Sequence, residues 1–555
     1  MTLSEQAKKT LANLSLKNLI KNSWILISLF AFYLSNSWKT QEKFLPFLIG
    51  FAAAVLYCLY KSETFSELKK SGAAVLGASF VSSAGAALFY SQKFYKEFTT
   101  GGNFITAVTE RLGLPNEKPV LVLSVIIFAL IIPIAVWWFS RVYLCAASSL
   151  KSIKSKLSVM SVISLAVIAC GFIVCVIYIV NKSDAFMTGE YIDVLFDADA
   201  DPNLAQKVWM DFYGYENDLR QLLFGPFAIP FFAPLYLISE AVHVVFGLEK
   251  SFVFFIMIGQ VILISLTCLM LADLLSENKK EFGVLFLIFS FSFAVCLFMI
   301  MPEQYAVAMF WLVLFVRYAV YDQKKSGLPF IGASGTLVTS GVLFFLIYDK
   351  GISFKENFVR WVKLFFEFVF FVLVSGVLYR LFSLEEKLGS YAEGIVGEIP
   401  WFNKIEQFTY FVKNCIFSPE TTEILKDGYL GVKLPEINQL CITGIIIFIA
   451  AVISFILNRK DRFAQICFSW IIFSFVLLGV VGWGAHENGL ILYSYYFGWA
   501  FISLLHLLLK KIFSLVKAEK ALPWVELVCV IPIAYFNIEK TLYMVRFLIE
   551  NYPRL

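Results

Sequence analysis

Stretches of near-continuous apolar sequence recur along the whole chain, several close to the ~20 residues that cross a hydrocarbon core as a helix. They centre on 24–35, 44–60, 72–91, 119–140, 158–180, 224–246, 252–275, 282–301, 305–321, 327–348, 364–382, 439–457, 463–484, 489–509 and 522–537. Hydrophobic residues make up 59% of the chain and charged residues only 16%, where soluble domains carry roughly 25% charged residues. The expected fold class is therefore an all-α polytopic membrane protein. The ten cysteines lie mostly inside apolar runs with no CxxC pair, which suits small core residues rather than a metal cage or disulfide framework. The polar N-terminal residues MTLSEQAKKTLANLSLKNLIKN do not resemble a cleavable signal.

Lysines and arginines in short loops set the expected orientation. Residues 141–157 carry Arg141, Lys151, Lys154 and Lys156 without an acid, so this loop belongs in the cytoplasm with the Lys-rich N-terminus. The loop 181–223 then lies outside, with nine acids against Lys182, Lys207 and Arg220. Pro226, Pro230 and Pro234 predict that 224–246 is a broken or re-entrant segment. Basic flanks on both sides of 327–348, with GASGTLVTSG between them, predict a hairpin of two half-helices. A second outer loop, 383–438, holds nine acids against five lysines, and its length favours a functional cap. Residues TLYMVRFLIENYPRL read as an amphipathic surface helix following the last span. The partition expected from these features is 1–157 as a four-span module and 158–381 as a membrane core with its acidic loop 181–223. Residues 382–438 form the second loop, and 439–555 the final spans and surface helix.

Chemistry concentrates on the outer side. The stretch 191–224 carries Asp193, Asp197, Asp199, Asp201, Asp211, Glu216 and Asp218 among Trp209, Tyr213 and Tyr215. The same topology puts Glu303, Thr336, Thr339, His486, Glu487 and Arg220 on that side. Carboxylates beside an apolar groove suit sugar transfer from a lipid-linked phosphate: one takes the proton of the attacking hydroxyl, and a cation or hydrogen-bond donor holds the leaving phosphate. Geometry alone does not choose among the carboxylates.

The runs VLFDADADP (194–202), PEQYAVAMFWLVLF (302–315), GTLVTS (335–340) and ENGLILYSYYF (487–497) resemble, in order, elements of the GT-C glycosyltransferase superfamily. The resemblance covers about 158–510 and implies a GT-C-like bundle of about 11 spans, with an added N-terminal four-helix module and two outer loops. It implies a bacterial inner-membrane enzyme with an extracytoplasmic active site. Such an enzyme moves a sugar from a polyprenyl-phosphate donor to a glycan, lipid or protein acceptor. By the match Asp197 is the catalytic base and Asp199 the second acid, with Glu303, Thr336, Thr339, His486, Glu487 and Tyr493 around the substrate. Where the family branch has His-Pro after an arginine, this chain has Gln221 and Leu222, leaving Arg220 as the candidate for the donor phosphate. No motif demands a cofactor; a divalent cation would find hard oxygen ligands, though no ligand spacing selects one. The bilayer is an expected partner and nucleic acid is not.

Plainer readings accompany these residues. Asp201 before Pro202 suits a turn or helix cap, Asp211, Glu216 and Asp218 a solvated face, and Glu303 a helix N-terminus. His243 and His506 on apolar stretches are structural. Thr336 and Thr339 suit close helix packing, and Tyr493, Tyr495 and Tyr496 an interfacial belt. The competing functions are a glycolipid or polysaccharide flippase or transporter, and a polysaccharide ligase or polymerase. A transporter expects charges buried within spans, whereas most charges here sit at span ends, with Glu240, Arg317, Glu367 and Arg380 as exceptions.

Overall fold

The computed structural model describes residues 23–34, 49, 51–55, 72–100, 113, 117–189, 191, 194–196, 198, 200–205, 207–212, 219–349, 351–374, 399–425, 428–433, 439–484 and 490–554. Among them, eight helices are long and apolar enough to cross a membrane, or nine if one bent pair counts as a single span. The protein is thus an all-α polytopic membrane protein. The apolar run 44–60 falls largely outside the described residues, and the run 364–382 is described as far as 374.

The chain forms two compact units: Met1–Ala147 with Val208–Phe255 and Phe358–Phe382, and Ser148–Lys207 with Ile256–Asn357 and Ser383–Leu555. These units cut across the partition read from the sequence. The segment 224–246 groups with the N-terminal helices, and the acidic stretch divides between Lys207 and Val208.

In the first unit, α1 (Ser23–Leu34), α2 (Ala73–Thr100), α3 (Glu117–Leu150) and α5 (Phe224–Phe246) build the core; α4 (Val159–Lys182) belongs to the other unit. The expected break in 224–246 is absent: α5 is one helix with Pro230 and Pro234 inside it. Each interior proline lacks an N–H, leaving the carbonyl four residues earlier without its ladder partner. Those carbonyls belong to Pro226 and Pro230. Trp138 Nε1 donates to Pro226 O at 2.8 Å, and the Tyr143 hydroxyl donates to Pro230 O. Both donors sit on α3, which carries its own interior Pro133. There the Ser28 hydroxyl of α1 enters the ladder, donating to Leu130 O and accepting from Ile134 N at 3.2 Å. Gly85 lets α2 lie directly on α5, since a Cβ there would come within 2.0 Å of Ala233 O.

The second unit is organised on α6 (Ser251–Leu275, in this unit from Ile256), α7 (Lys279–Phe291), α8 (Phe293–Ile300) and α9 (Tyr305–Tyr321). Helices α7 and α8 are a single run bent by 62° at Ser292. Two buried amides satisfy the freed backbone. Asn537 Nδ2 donates at 2.7 Å to both Phe291 O and Ile416 O, while its Oδ1 accepts from Ser418 N at 2.8 Å. At the far end of α8, Gln260 Nε2 donates to Phe298 O at 2.7 Å and Met301 O at 2.6 Å, and its Oε1 accepts from Glu303 N. Helix α9 is buried on every face over most of its length, as expected for a helix apolar all round.

After α9 come α10 (Gly327–Thr336) and a 3₁₀ helix, Val338–Ile347, separated by extended Leu337. Gln323 Nε2 donates to Leu346 O at 3.0 Å and Tyr348 O at 2.7 Å, tying the two ends of this segment together, so the hairpin expected of 327–348 is present. Helix α11 (Phe354–Val374) starts with a capping box: Ser353 Oγ accepts from Glu356 N, and the Glu356 carboxylate accepts from Ser353 N. These bonds hold the Glu356 carboxyl below the usual carboxylate range. Then follow α12 (Trp401–Asn414), a two-stranded hairpin of β1 (Thr422–Ile424) and β2 (Leu430–Val432), α13 (Ile442–Leu457), α14 (Arg462–Ser474), α15 (Ser494–Leu515) and α16 (Leu522–Asn551). No separate surface helix follows the last span. Residues 541–551 continue α16 and bury Thr541, Met544, Val545, Phe547 and Leu548, because their apolar side is consumed in packing.

Trp138→Phe or Tyr143→Phe strips a side-chain donor from a proline-orphaned carbonyl of α5, a loss of about 1–3 kcal/mol visible as a lower unfolding midpoint in detergent. Adding Pro230→Ala to Trp138→Phe restores a backbone N–H opposite Pro226 O and recovers stability; an unchanged midpoint for Trp138→Phe contradicts the account.

Candidate functional site

The acidic stretch enters the second unit from the end of α4, where Ser183 leaves the helix in extended conformation. Three contacts pin it to the last turn of α16 and the residues just beyond it. Ser183 Oγ donates to Leu548 O at 2.8 Å, Asp184 N to Tyr552 O at 2.9 Å, and Arg554 N to Lys182 O at 3.0 Å. The Tyr552 ring meets the Tyr191 ring at 4.9 Å and its hydroxyl donates to Gly428 O at 3.0 Å; burial pushes that hydroxyl above its ordinary pKa. Asp201 is fully buried and staples the loop closed, its Oδ2 accepting from Thr188 Oγ1 and Tyr191 N, each at 3.1 Å. It is the second residue of the short helix Ala200–Ala205, and its carboxylate bonds back to the loop instead of capping that helix.

Between these anchors lies the most constrained piece of the loop. Phe196 N donates to Leu430 O at 2.8 Å and Leu430 N to Val194 O at 3.2 Å, a parallel bridge onto β2. Phe196 is fully buried, takes a left-handed φ of 53°, and sets its ring edge-on to Phe293 at 6.4 Å. A bulky residue in that backbone region costs roughly 1–3 kcal/mol and persists only where its surroundings over-determine it. Here the surroundings are β2 on one side and the break in α7–α8 on the other. Phe293 N also donates to Ile416 O at 3.0 Å. The loop, the helix break, the 416–418 turn and β2 therefore form one fixed assembly, and the next residue in the chain is Asp197.

Of the site residues read from the sequence, Asp197, Asp199, His486 and Glu487 lie outside the described residues, as do Asp193, Tyr213, Tyr215, Glu216 and Asp218. Arg220 is half-buried in the 3₁₀ turn Leu219–Gln221 of the first unit. In that unit Asp211 is half-buried and paired with Lys93 at 3.2 Å, which replaces the solvated face expected of it. Glu303 is buried ahead of α9, its Oε2 accepting from Gln304 N at 3.1 Å, the helix-terminus role. Thr336 Oγ1 bonds back to Gly332 O at 2.7 Å on its own helix, and Thr339 is half-buried in the following 3₁₀ turn. Tyr493 packs over Gly484, where any Cβ would meet its ring at 2.5 Å. The turn holding Glu303 and the start of α15 do come together, with Tyr305 and Tyr496 rings at 4.6 Å and Phe298 and Tyr495 at 5.1 Å.

Two buried ionic clusters of the second unit escaped the sequence reading. In the first, Arg317 Nη1 meets Asp273 Oδ2 at 2.7 Å and Lys156 Nζ meets Asp273 Oδ1 at 3.0 Å. Arg317 also donates to Ser149 Oγ and O, Ser152 Oγ and Met270 O. In the second, His506 lies between Glu526 (2.6 Å) and Glu281 (3.2 Å), and Lys510 meets Glu281 and Glu277. The available signal was one lone ionisable residue in each of several apolar helices, a pattern that calls for a partner. Among the described residues, no group of three or more His, Cys, Asp or Glu is arranged to hold a metal ion.

No family model, curated protein or solved structure matches the chain.

Arg317→Met leaves Asp273 with Lys156 as its remaining cation and the Ser152 hydroxyl as a donor, and breaking such a buried pair costs about 3–5 kcal/mol. The double variant Arg317→Met/Asp273→Leu recovers most of that loss in denaturant unfolding. Equal losses in the single and double variants are the contrary result.

Proposed function

We propose that the protein is an integral-membrane glycosyltransferase that moves a sugar from a polyprenyl-phosphate donor to a cell-envelope acceptor at the extracytoplasmic face. In this reading Asp197 accepts the proton of the acceptor hydroxyl as its oxygen attacks the anomeric carbon. The bond from that carbon to the phosphate oxygen breaks, and polyprenyl phosphate leaves. Asp199 supports the charge of the pair, and Arg220 is the sequence's candidate for the leaving phosphate. The observation that carries the reading is the backbone just before Asp197: buried Phe196, held at φ 53° between β2 and the α7–α8 break. Strain of this kind clusters where a following side chain must be aimed, and a solvated acidic loop has no use for it.

A glycolipid flippase is the second reading. It is favoured by His506, enclosed with Glu281 and Glu526 among apolar helices, since ionisable groups buried in membrane helices often mark ion pathways. Consumption of a polyprenyl-phosphate sugar by detergent-purified protein separates the two, because a flippase leaves the donor intact.

Asp197→Asn lowers transfer by about 10²–10⁴-fold while leaving the melting temperature and gel-filtration profile unchanged. Full activity in that variant removes Asp197 as the base.

A further inference from the structure

A cavity of about 550 Å³ opens in the second unit where the end of α12, the 417–420 turn, the start of α13 and the middle of α16 meet. It is far larger than the ~30 Å³ share of one water molecule, so it has room for a polar headgroup. Its charged lining is two lysines, Lys413 and Lys540, and two glutamates, Glu420 and Glu539. Lys413 is buried, with 9% of its side chain exposed, and its ammonium meets Glu420 at 2.5 Å. The Glu420 side chain is 81% exposed. A buried cation is thus neutralised by a carboxylate on a free arm, which a ligand anion can displace. Lys540 lies against the Tyr543 ring at 5.2 Å, and no described carboxylate is within ion-pairing distance of it.

Position says what kind of molecule brings that anion. At 1.5 Å per residue Lys540 lies about 27 Å along α16 from Leu522, close to the ~30 Å thickness of a hydrocarbon core. Exposed Trp524 stands near the start of the helix, and exposed Tyr535, Phe536 and Tyr543 stand around Lys540, as aromatic belts do at the two interfaces. From the mouth of the cavity an exposed apolar stripe of α13, Ile442, Ile446, Ile449 and Ile453, runs away along the helix. A chain-bearing ligand would lay its tails there.

We propose that this cavity seats the headgroup of a zwitterionic phospholipid with a primary amine, the phosphate on Lys413 and Lys540 and the ammonium toward Glu420 and Glu539. A purely anionic headgroup would bring its charge onto two carboxylates, and a quaternary amine has no N–H to give them. The site is independent of the proposed transfer reaction.

Full-length protein in detergent, titrated with phosphatidylethanolamine, phosphatidylglycerol and phosphatidylcholine of identical chains and read by native mass spectrometry, tests this. Phosphatidylethanolamine should bind at least about tenfold tighter than the other two, the scale of one charged hydrogen bond. Lys540→Ala, which is partly exposed and should melt as the parent does, should weaken all three lipids by about tenfold, the loss of one charged contact to the shared phosphate. Glu420→Gln/Glu539→Gln should bring phosphatidylethanolamine and phosphatidylcholine to equal affinity. Equal retention of all three lipids, tightest binding of phosphatidylglycerol, unchanged affinities in Lys540→Ala, or a preference over phosphatidylcholine that survives in Glu420→Gln/Glu539→Gln overturns the proposal. Soluble glycerophosphoethanolamine binding as tightly as the lipid overturns the membrane source.

Discussion

A backbone carbonyl facing hydrocarbon has no water to turn to, and in this protein that constraint decides where helices can break. The interruptions in α3, α5 and the α7–α8 run each carry a side-chain donor from a different helix. Trp138 and Tyr143 serve the prolines of α5, Ser28 the proline region of α3, Gln260 the end of α8, and Asn537 the bend at Ser292. An unmet group of this kind costs several kcal/mol in an apolar medium, so each donor is worth more than an ordinary surface hydrogen bond. Irregular backbone within these helices is thereby confined to places where a partner helix reaches it, whereas the approach to Asp197 is held by backbone pairing with β2.

The ionic clusters obey the same economy. Arg317 has Asp273, two serine hydroxyls and two carbonyls around its guanidinium, which satisfies its fork of donors nearly completely. His506 presents both ring nitrogens to carboxylates. Such clusters contribute little net stability over apolar packing, but they accept only one register of the helices that supply them. Here the helices are α6 with α9, and α7 with α15 and α16.

The all-helical, membrane-crossing character was legible because apolar runs of span length leave few alternatives. The hairpin at 327–348 was legible too, since its basic flanks demand that both ends lie on one side and its middle is too small and polar for a plain span. The intact helix through Pro230 and Pro234 was not, because its repair comes from side chains 87 and 88 residues away in the chain, and local reading sees only the missing N–H. Residues 541–551 misled for a similar reason: an amphipathic face looks alike whether it meets lipid headgroups or another helix. Asp201 looked like a turn or helix cap, but its carboxylate bonds back to Thr188 and Tyr191, a closure that nothing adjacent in sequence announced. The carboxylates at 197 and 199 rest on the resemblance alone.

The clasp between the chain after α4 and the chain after α16 has a temporal consequence. Ser183 and Leu548 are 365 residues apart, so at 5–20 residues per second the loop is made roughly 20–70 s before its brace exists. During that interval the acidic segment waits without the Tyr552 contact, and for the earlier part of it without β2. Assembly of this face therefore waits for the end of α16, and a chain cut before that point that inserts all its earlier helices would still lack it.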